Sequence, residues 1–172
     1  MLLLTPIAIL SVSVLDGLNP FKGGFFSLYF RRTGQKWASL ACPPMYTLLA
    51  YSFSFVFMSL KLSSWNSYWG ISMVLLLCAI TRIVNYRYHV NLDVRVSMTS
   101  MVRRSLLYSI MDLDFLIGGV ALLLGVRYFL PFLITNVLSR YLGSLLAHRL
   151  FRTNFEILTS ISIALVALSI LA

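Results

Sequence analysis

The sequence predicts an all-α integral membrane protein, six transmembrane helices arranged as a 3+3 inverted repeat. Three observations carry that reading. First, the 172 residues are 59% hydrophobic, with a mean hydropathy of +0.88 and a charged fraction of 11%, against about 25% in an ordinary soluble domain. A spanning helix needs about 20 apolar residues, so the chain has room for about six helices and little else. One membrane domain follows, residues 1–172.

Second, the basic residues alternate by position. Lys22, Arg31, Arg32 and Lys36 follow the first apolar segment; Arg82, Arg87, Arg95, Arg103 and Arg104 follow the third; Arg140, Arg149 and Arg152 close the fifth. Lys61 and Arg127 fall in the other connections, twelve against two. That is the positive-inside pattern. It predicts a plasma-membrane protein with both termini outside, and it assigns the net charge of +9 to membrane topology rather than to a nucleic-acid surface.

Third, two segments echo each other. Ser13-Val-Leu-Asp16-Gly-Leu-Asn19-Pro20 and Ser109-Ile-Met-Asp112-Leu-Asp114 each set a carboxylate three residues after a serine, in an apolar run leading to a Gly-Gly pair. An aspartate at the centre of a membrane helix costs roughly 2.5–3.5 kcal/mol on insertion scales, so such residues usually face a pathway, an ion or each other. The chain has five acidic residues, and three of them lie in these two segments.

Helix one is expected over about Leu2–Phe26. It has no basic leader and no small-residue cleavage site, so it reads as a mature helix rather than a signal peptide. Asn19-Pro20 should kink it, because the proline ring displaces the carbonyl of Asp16 from its helical hydrogen bond. Ser13, Asp16, Asn19 and Gly23 share one helical face. Lys22 is expected to snorkel to the cytoplasmic surface, with a role as internal counter-ion to Asp16 as the alternative.

Helix two, about Ala38–Leu60, carries Pro43-Pro44 early, and Ser63 to Trp69 reads as an aromatic-anchored turn. Helix three spans about Trp69–Val84. From Asn85 to Arg104 apolar and polar residues alternate with a period of two, which predicts a strand or an extended cytoplasmic segment between the halves 1–84 and 105–172. His89 and Asp93 there read as solvated loop residues rather than a metal-sensing pair.

Helix four, about Ser105–Gly125, presents Ser105, Ser109, Asp112 and Gly119 as a small polar stripe. On a continuous helix Asp114 points some 200° from Asp112. It is either part of the site, a helix cap, or the partner of a basic side chain such as Arg140. Helix five, about Tyr128–Leu146, has Pro131 near its start, and helix six runs from about Glu156 to Ala172. Cys42 and Cys78 lie in apolar segments without Cys-x-x-Cys spacing and read as buried thiols.

Ser-Val-Leu-Asp16-Gly and Ser-Ile-Met-Asp112-Leu stand where the MntP-type manganese efflux pumps of the LysE superfamily carry the aspartate motif of each half. Ser64-Trp-Asn-Ser-Tyr-Trp69 resembles their Trp-Asn turn. Arg140-Tyr-Leu-Gly143 to Arg149, with Phe155-Glu156-Ile-Leu158, resembles their fifth helix, basic loop and sixth-helix start. The likeness covers the layout of nearly the whole chain, with short motifs. Helix two lacks a carboxylate, Thr159-Ser160 replaces a glycine pair, and Asp114 is additional. Asp16-Gly-Leu-Asn-Pro20 is also similar to the Asp-x-x-Asn-Pro opening of relatives that export other cargo.

The resemblance implies a secondary exporter of a divalent cation, with Mn²⁺ as cargo, no enzymatic activity and no permanently bound cofactor. Such an ion prefers hard oxygen ligands. Asp16, Asp112 and Asp114 with Asn19, supported by Ser13 and Ser109, are the candidate donors. Two neighbouring buried carboxylates cannot both ionise without a cation, so ion binding would release a proton and permit proton antiport. No Gly-x-x-x-x-Gly-Lys-Ser/Thr phosphate cradle appears, nor the Gly-x-Gly-Asp of an intramembrane aspartyl protease. The expected partners are the lipid bilayer and the transported ion or small solute. The alternatives are export of an organic solute, an amino acid or lipid-linked cargo, and a non-transporting membrane scaffold.

Overall fold

The computed structural model describes residues 4–55, 68–90, 97–150 and 155–171. Those residues form an all-helical bundle. The elements are α1 (Leu4–Leu18), a π-helical turn at Pro20–Gly24, α2 (Phe25–Arg32), α3 (Lys36–Tyr51), α4 (Tyr68–Val90), α5 (Met98–Met111), α6 (Asp114–Leu123), α7 (Val126–Leu150) and α8 (Phe155–Leu171). Among the described residues one helix, α7 over Val126–Leu146, is by itself long and apolar enough to cross a bilayer. The bent pair α5 and α6 passes the same test when taken together.

Two breaks organise the bundle. The first is the one Asn19-Pro20 leads one to expect. Lys22 (φ −105°, ψ 68°) and Gly23 (φ +96°) leave helical geometry, and α2 then resumes as far as Arg32. The second break departs from the continuous fourth helix expected from the sequence. Leu113 adopts the left-handed region (φ 57°), and α5 and α6 meet at a 70° bend. A leucine carries little sequence signal for that conformation, which costs a side chain roughly 1–2 kcal/mol.

The extended segment expected over Asn85–Arg104 is also corrected. Helix α4 continues to Val90, and α5 starts at Met98. Ser97 starts α5 through a capping box: its hydroxyl accepts the Ser100 amide, and the Ser100 hydroxyl accepts the Ser97 amide. Over 85–90 and 98–104 the alternating polarity therefore belongs to helix, with Ser97 as the cap. Residues 91–96, Asp93 among them, and most of the aromatic turn before Tyr68 lie outside the described residues.

Packing follows a reciprocal pattern. Helix α1 lies along α7, α3 along α5, and α4 along α8. Exchanging the first three predicted spans for the last three converts the first pairing into the second and leaves the third unchanged. The serines of the two echoing segments fasten these pairs. Ser13 Oγ donates to the Phe132 carbonyl of α7 at 2.6 Å, and Ser109 Oγ donates to the Ala50 carbonyl of α3. Gly17 and Gly143 let α1 and α7 touch backbone to backbone.

Buried charges lie within the apolar core, and large aliphatic side chains face outward. The interior contains Asp16, Lys22, Arg82, Asp112, Asp114 and Arg140 beside Tyr46, Tyr51 and Phe132. The exterior carries Leu48, Met73, Ile80, Leu130, Ile134, Leu138, Leu165 and Leu168, all more than half exposed.

Candidate functional site

Asp16 lies two residues from the C-terminus of α1, directly before the first break. Asn19 then donates its amide to the Asp16 carbonyl at 3.2 Å, so the carbonyl that proline was expected to free is occupied. The backbone turn at Lys22–Gly23 sends the Lys22 side chain inward, where it is fully buried. This corrects the expectation that Lys22 reaches the surface; the alternative, an internal counter-ion, is what the structure places there.

At the second break Asp112 ends α5 and Asp114 begins α6, with left-handed Leu113 between them. That turn cancels the 200° separation of a continuous helix and brings both carboxylates to the same centre. Asp114 also gains the favourable field of a helix N-terminus.

Lys22 Nζ is the centre of the cluster. It lies 2.7 Å from both carboxylate oxygens of Asp114, 2.9 Å from Asp112 Oδ2 and 3.4 Å from Asp16 Oδ1. Arg82, from α4, places Nη2 at 2.6 Å from Asp16 Oδ1 and 2.6 Å from Asp114 Oδ1. Arg140, from α7, places Nη2 at 2.8 Å from Asp16 Oδ2, while its Nη1 donates to the Lys22 carbonyl. Its guanidinium carbon stands 4.6 Å over the Tyr46 ring.

Neutral groups complete the site. Tyr51 OH donates to Asp16 Oδ2 at 2.7 Å, and Asn136 Nδ2 donates to the same oxygen at 3.2 Å. Asn136 Oδ1 accepts from Thr47 and from Arg140 Nε. Asn85 Nδ2 approaches Asp112 Oδ1 at 3.5 Å. Among the described residues, six fully buried formal charges, three of each sign, meet here. Such an arrangement is stable only while every member keeps its partner, because removing one leaves an uncompensated buried charge.

The structure brings together the three expected aspartates, while the two serines bond elsewhere. Asn19 is buried within the break, its carbonyl accepting the Lys22 amide at 3.1 Å. Ser13 and Ser109 bond to carbonyls of α7 and α3. Arg140 pairs with Asp16; Asp114, for which Arg140 was one expected partner, is held by Lys22 and Arg82. Lys22, Arg82 and Arg140, which the sequence places among the cytoplasmic charges, are buried. The sequence held a signal for them, since each falls inside an expected apolar helix, as the aspartates do. Thr47 and Tyr51 belong to a polar ledge in the second expected helix, and Asn136 follows Pro131 in the fifth, so the sequence marked them as polar but not as site residues.

Among the described residues no group of three or more His, Cys, Asp or Glu side chains is placed to hold a metal ion. The aspartates are spaced around an ammonium instead. Cys42 and Cys78 are buried free thiols, with Sγ directed at the carbonyls of Gly23 and Leu113. Compared with known protein families, characterised proteins and solved structures, this chain matches none.

Proposed function

We propose that this chain is a secondary membrane exporter of a small cation, with Asp16, Asp112 and Asp114 as its cargo site. The reading places six spans in the plasma membrane as two inverted halves, with both termini outside. Support for the bilayer comes from the exposed aliphatic exterior around a charged interior, since soluble monomers rarely expose apolar patches beyond a few hundred Å². Support for the inverted repeat comes from the reciprocal packing and from one broken helix at the start of each half. Transporters built this way bind cargo where broken helices meet.

The observation that carries the reading is the convergence of three carboxylates, from both halves, on one Nζ at 2.7–3.4 Å. A charge-balanced cluster assembled from two breaks is a place where one cation can replace another. The resemblance to manganese efflux pumps supplies a divalent metal, Mn²⁺, as cargo. For that ion to bind, Lys22 has to withdraw and the carboxylates have to close on the metal.

A second reading, export of an organic solute bearing an ammonium group, is favoured by the seat these carboxylates already give to an ammonium. The test is Mn²⁺ content and tolerance in cells carrying wild type, Asp16→Asn or Asp112→Asn. Lower cell Mn²⁺ with wild type, lost in both variants at equal protein levels, supports metal export. Equal Mn²⁺ in all strains overturns it, and an unaltered phenotype in Asp16→Asn assigns the cluster to scaffolding alone.

A further inference from the structure

Lys22 differs from the two arginines of the cluster in how it is mounted. Arg82 and Arg140 project from helices α4 and α7. Lys22 sits on the non-helical linkage between α1 and α2, with Gly23 at φ +96° beside it. Rotation about those two residues moves the ammonium without unwinding either flanking helix. Arg140 donates to its carbonyl, so turning the Lys22–Gly23 peptide has to release that hydrogen bond as the ammonium leaves.

We propose that Lys22 is the resident counter-ion of the carrier: it occupies the cargo position while cargo is absent and withdraws, by rotation at Lys22–Gly23, as cargo enters. The inference deepens the transport reading and rests on it. Its physical content is charge balance. With Lys22 in place the three carboxylates are matched by three cations. Among the described residues the unloaded carrier thus has its buried charges matched and can pass between its two faces, a step that an unmatched carboxylate would oppose. With Lys22 withdrawn, Arg82 and Arg140 leave one negative charge for cargo. A monovalent cation restores neutrality, whereas a divalent ion leaves one surplus positive charge.

The test uses the purified full-length protein in nanodiscs as wild type, Lys22→Met and the charge-restored double variant Lys22→Met/Asp114→Asn. Binding of methylammonium and of Mn²⁺ is measured by calorimetry, and thermal unfolding is followed with and without each probe. Lys22→Met should bind methylammonium about tenfold or more tightly than wild type, because an unpaired buried carboxylate then awaits a partner. The double variant should lose that gain.

If Lys22→Met binds neither probe more tightly than wild type, or if the double variant keeps the gain, the proposal is overturned. Should Lys22→Met fail to fold alone, recovery of folded protein on preparation with methylammonium supports the proposal, and no recovery overturns it. Efflux by the wild type in proteoliposomes separates the two readings. Efflux without the Lys22→Met gain removes the resident counter-ion and keeps transport; the gain without efflux keeps Lys22 as occupant of a cation site and removes transport.

Discussion

A single nitrogen joins Asp16 to Asp114: Nη2 of Arg82 lies 2.6 Å from a carboxylate oxygen of each. The first aspartate lies just before the break between α1 and α2 and the second just after the break between α5 and α6, so this guanidinium ties the two breaks together from α4. Arg82→Met removes the tie and leaves three buried carboxylates facing two cations. Removing one partner of a buried ion pair costs about 3–5 kcal/mol. The midpoint of unfolding in detergent should fall accordingly, and adding Asp114→Asn should recover part of the loss. A double variant no more stable than Arg82→Met would show that the two carboxylates are not coupled through this arginine.

Tyr51 offers a milder probe of the same centre. Its hydroxyl donates to Asp16 Oδ2 at 2.7 Å, while its ring packs edge-on against Phe132 with centroids 4.9 Å apart. Tyr51→Phe retains the ring contact and deletes the hydrogen bond, and a hydrogen bond to a charged group contributes about 1.5–3 kcal/mol. Stability should fall within that range, and cargo binding should weaken because Asp16 is less firmly held. A variant as stable as wild type would mean that Asn136 and Arg140 suffice to hold that oxygen.

What the sequence revealed and what it concealed separate along physical lines. The break at Asn19-Pro20 was legible because proline and the following glycines act through the local backbone. The break at Leu113 was not, because leucine does not favour the left-handed turn it makes; that turn brings Asp112 and Asp114 both to Lys22, and Asp114 to Arg82 on α4. The aspartates were legible as rare charges in apolar runs. Lys22, Arg82 and Arg140 lie in equally apolar runs, and the charge tally assigned them to the surface because position along the chain does not reveal the direction of a side chain. Helix α4 extends to Val90, past the expected end at Val84, so Arg82 sits well inside it. The polar alternation of residues 85–104 pointed away from helix, yet its described ends, 85–90 and 98–104, are helical and Ser97 is a serine cap.

The contact between α1 and α7 gives a third prediction. A Cβ placed on Gly17 would stand 2.6 Å from the Asn136 carbonyl oxygen and 2.6 Å from Ser139 Cβ. The neighbouring backbone cannot yield that far without the helices separating. Gly17→Ala should therefore cost about 1–3 kcal/mol as overpacking. It should also loosen the contacts of Asp16 with Asn136 and Arg140, both on α7. Lower unfolding midpoint together with weaker cation binding is the expected result. A fall in stability with binding unchanged would show that the charge cluster does not depend on the close approach of these helices.

Gly23 and Gly34 form a matched pair for the last prediction. Both have positive φ, +96° and +77°, so alanine at either position is strained by roughly 1–2 kcal/mol. Around Gly34 nothing lies within 4 Å of an added Cβ, whereas at Gly23 the Tyr46 side chain lies at 3.2–3.4 Å. Tyr46 in turn lies beneath the Arg140 guanidinium, which holds both Asp16 and the Lys22 carbonyl. Gly34→Ala should thus show only the backbone cost and leave cation binding as in wild type. Gly23→Ala should be the less stable of the two and should weaken binding as well, because a displaced Tyr46 ring moves Arg140. Measured side by side in the same membrane preparation, equal binding by both variants would detach the first break from the charge cluster.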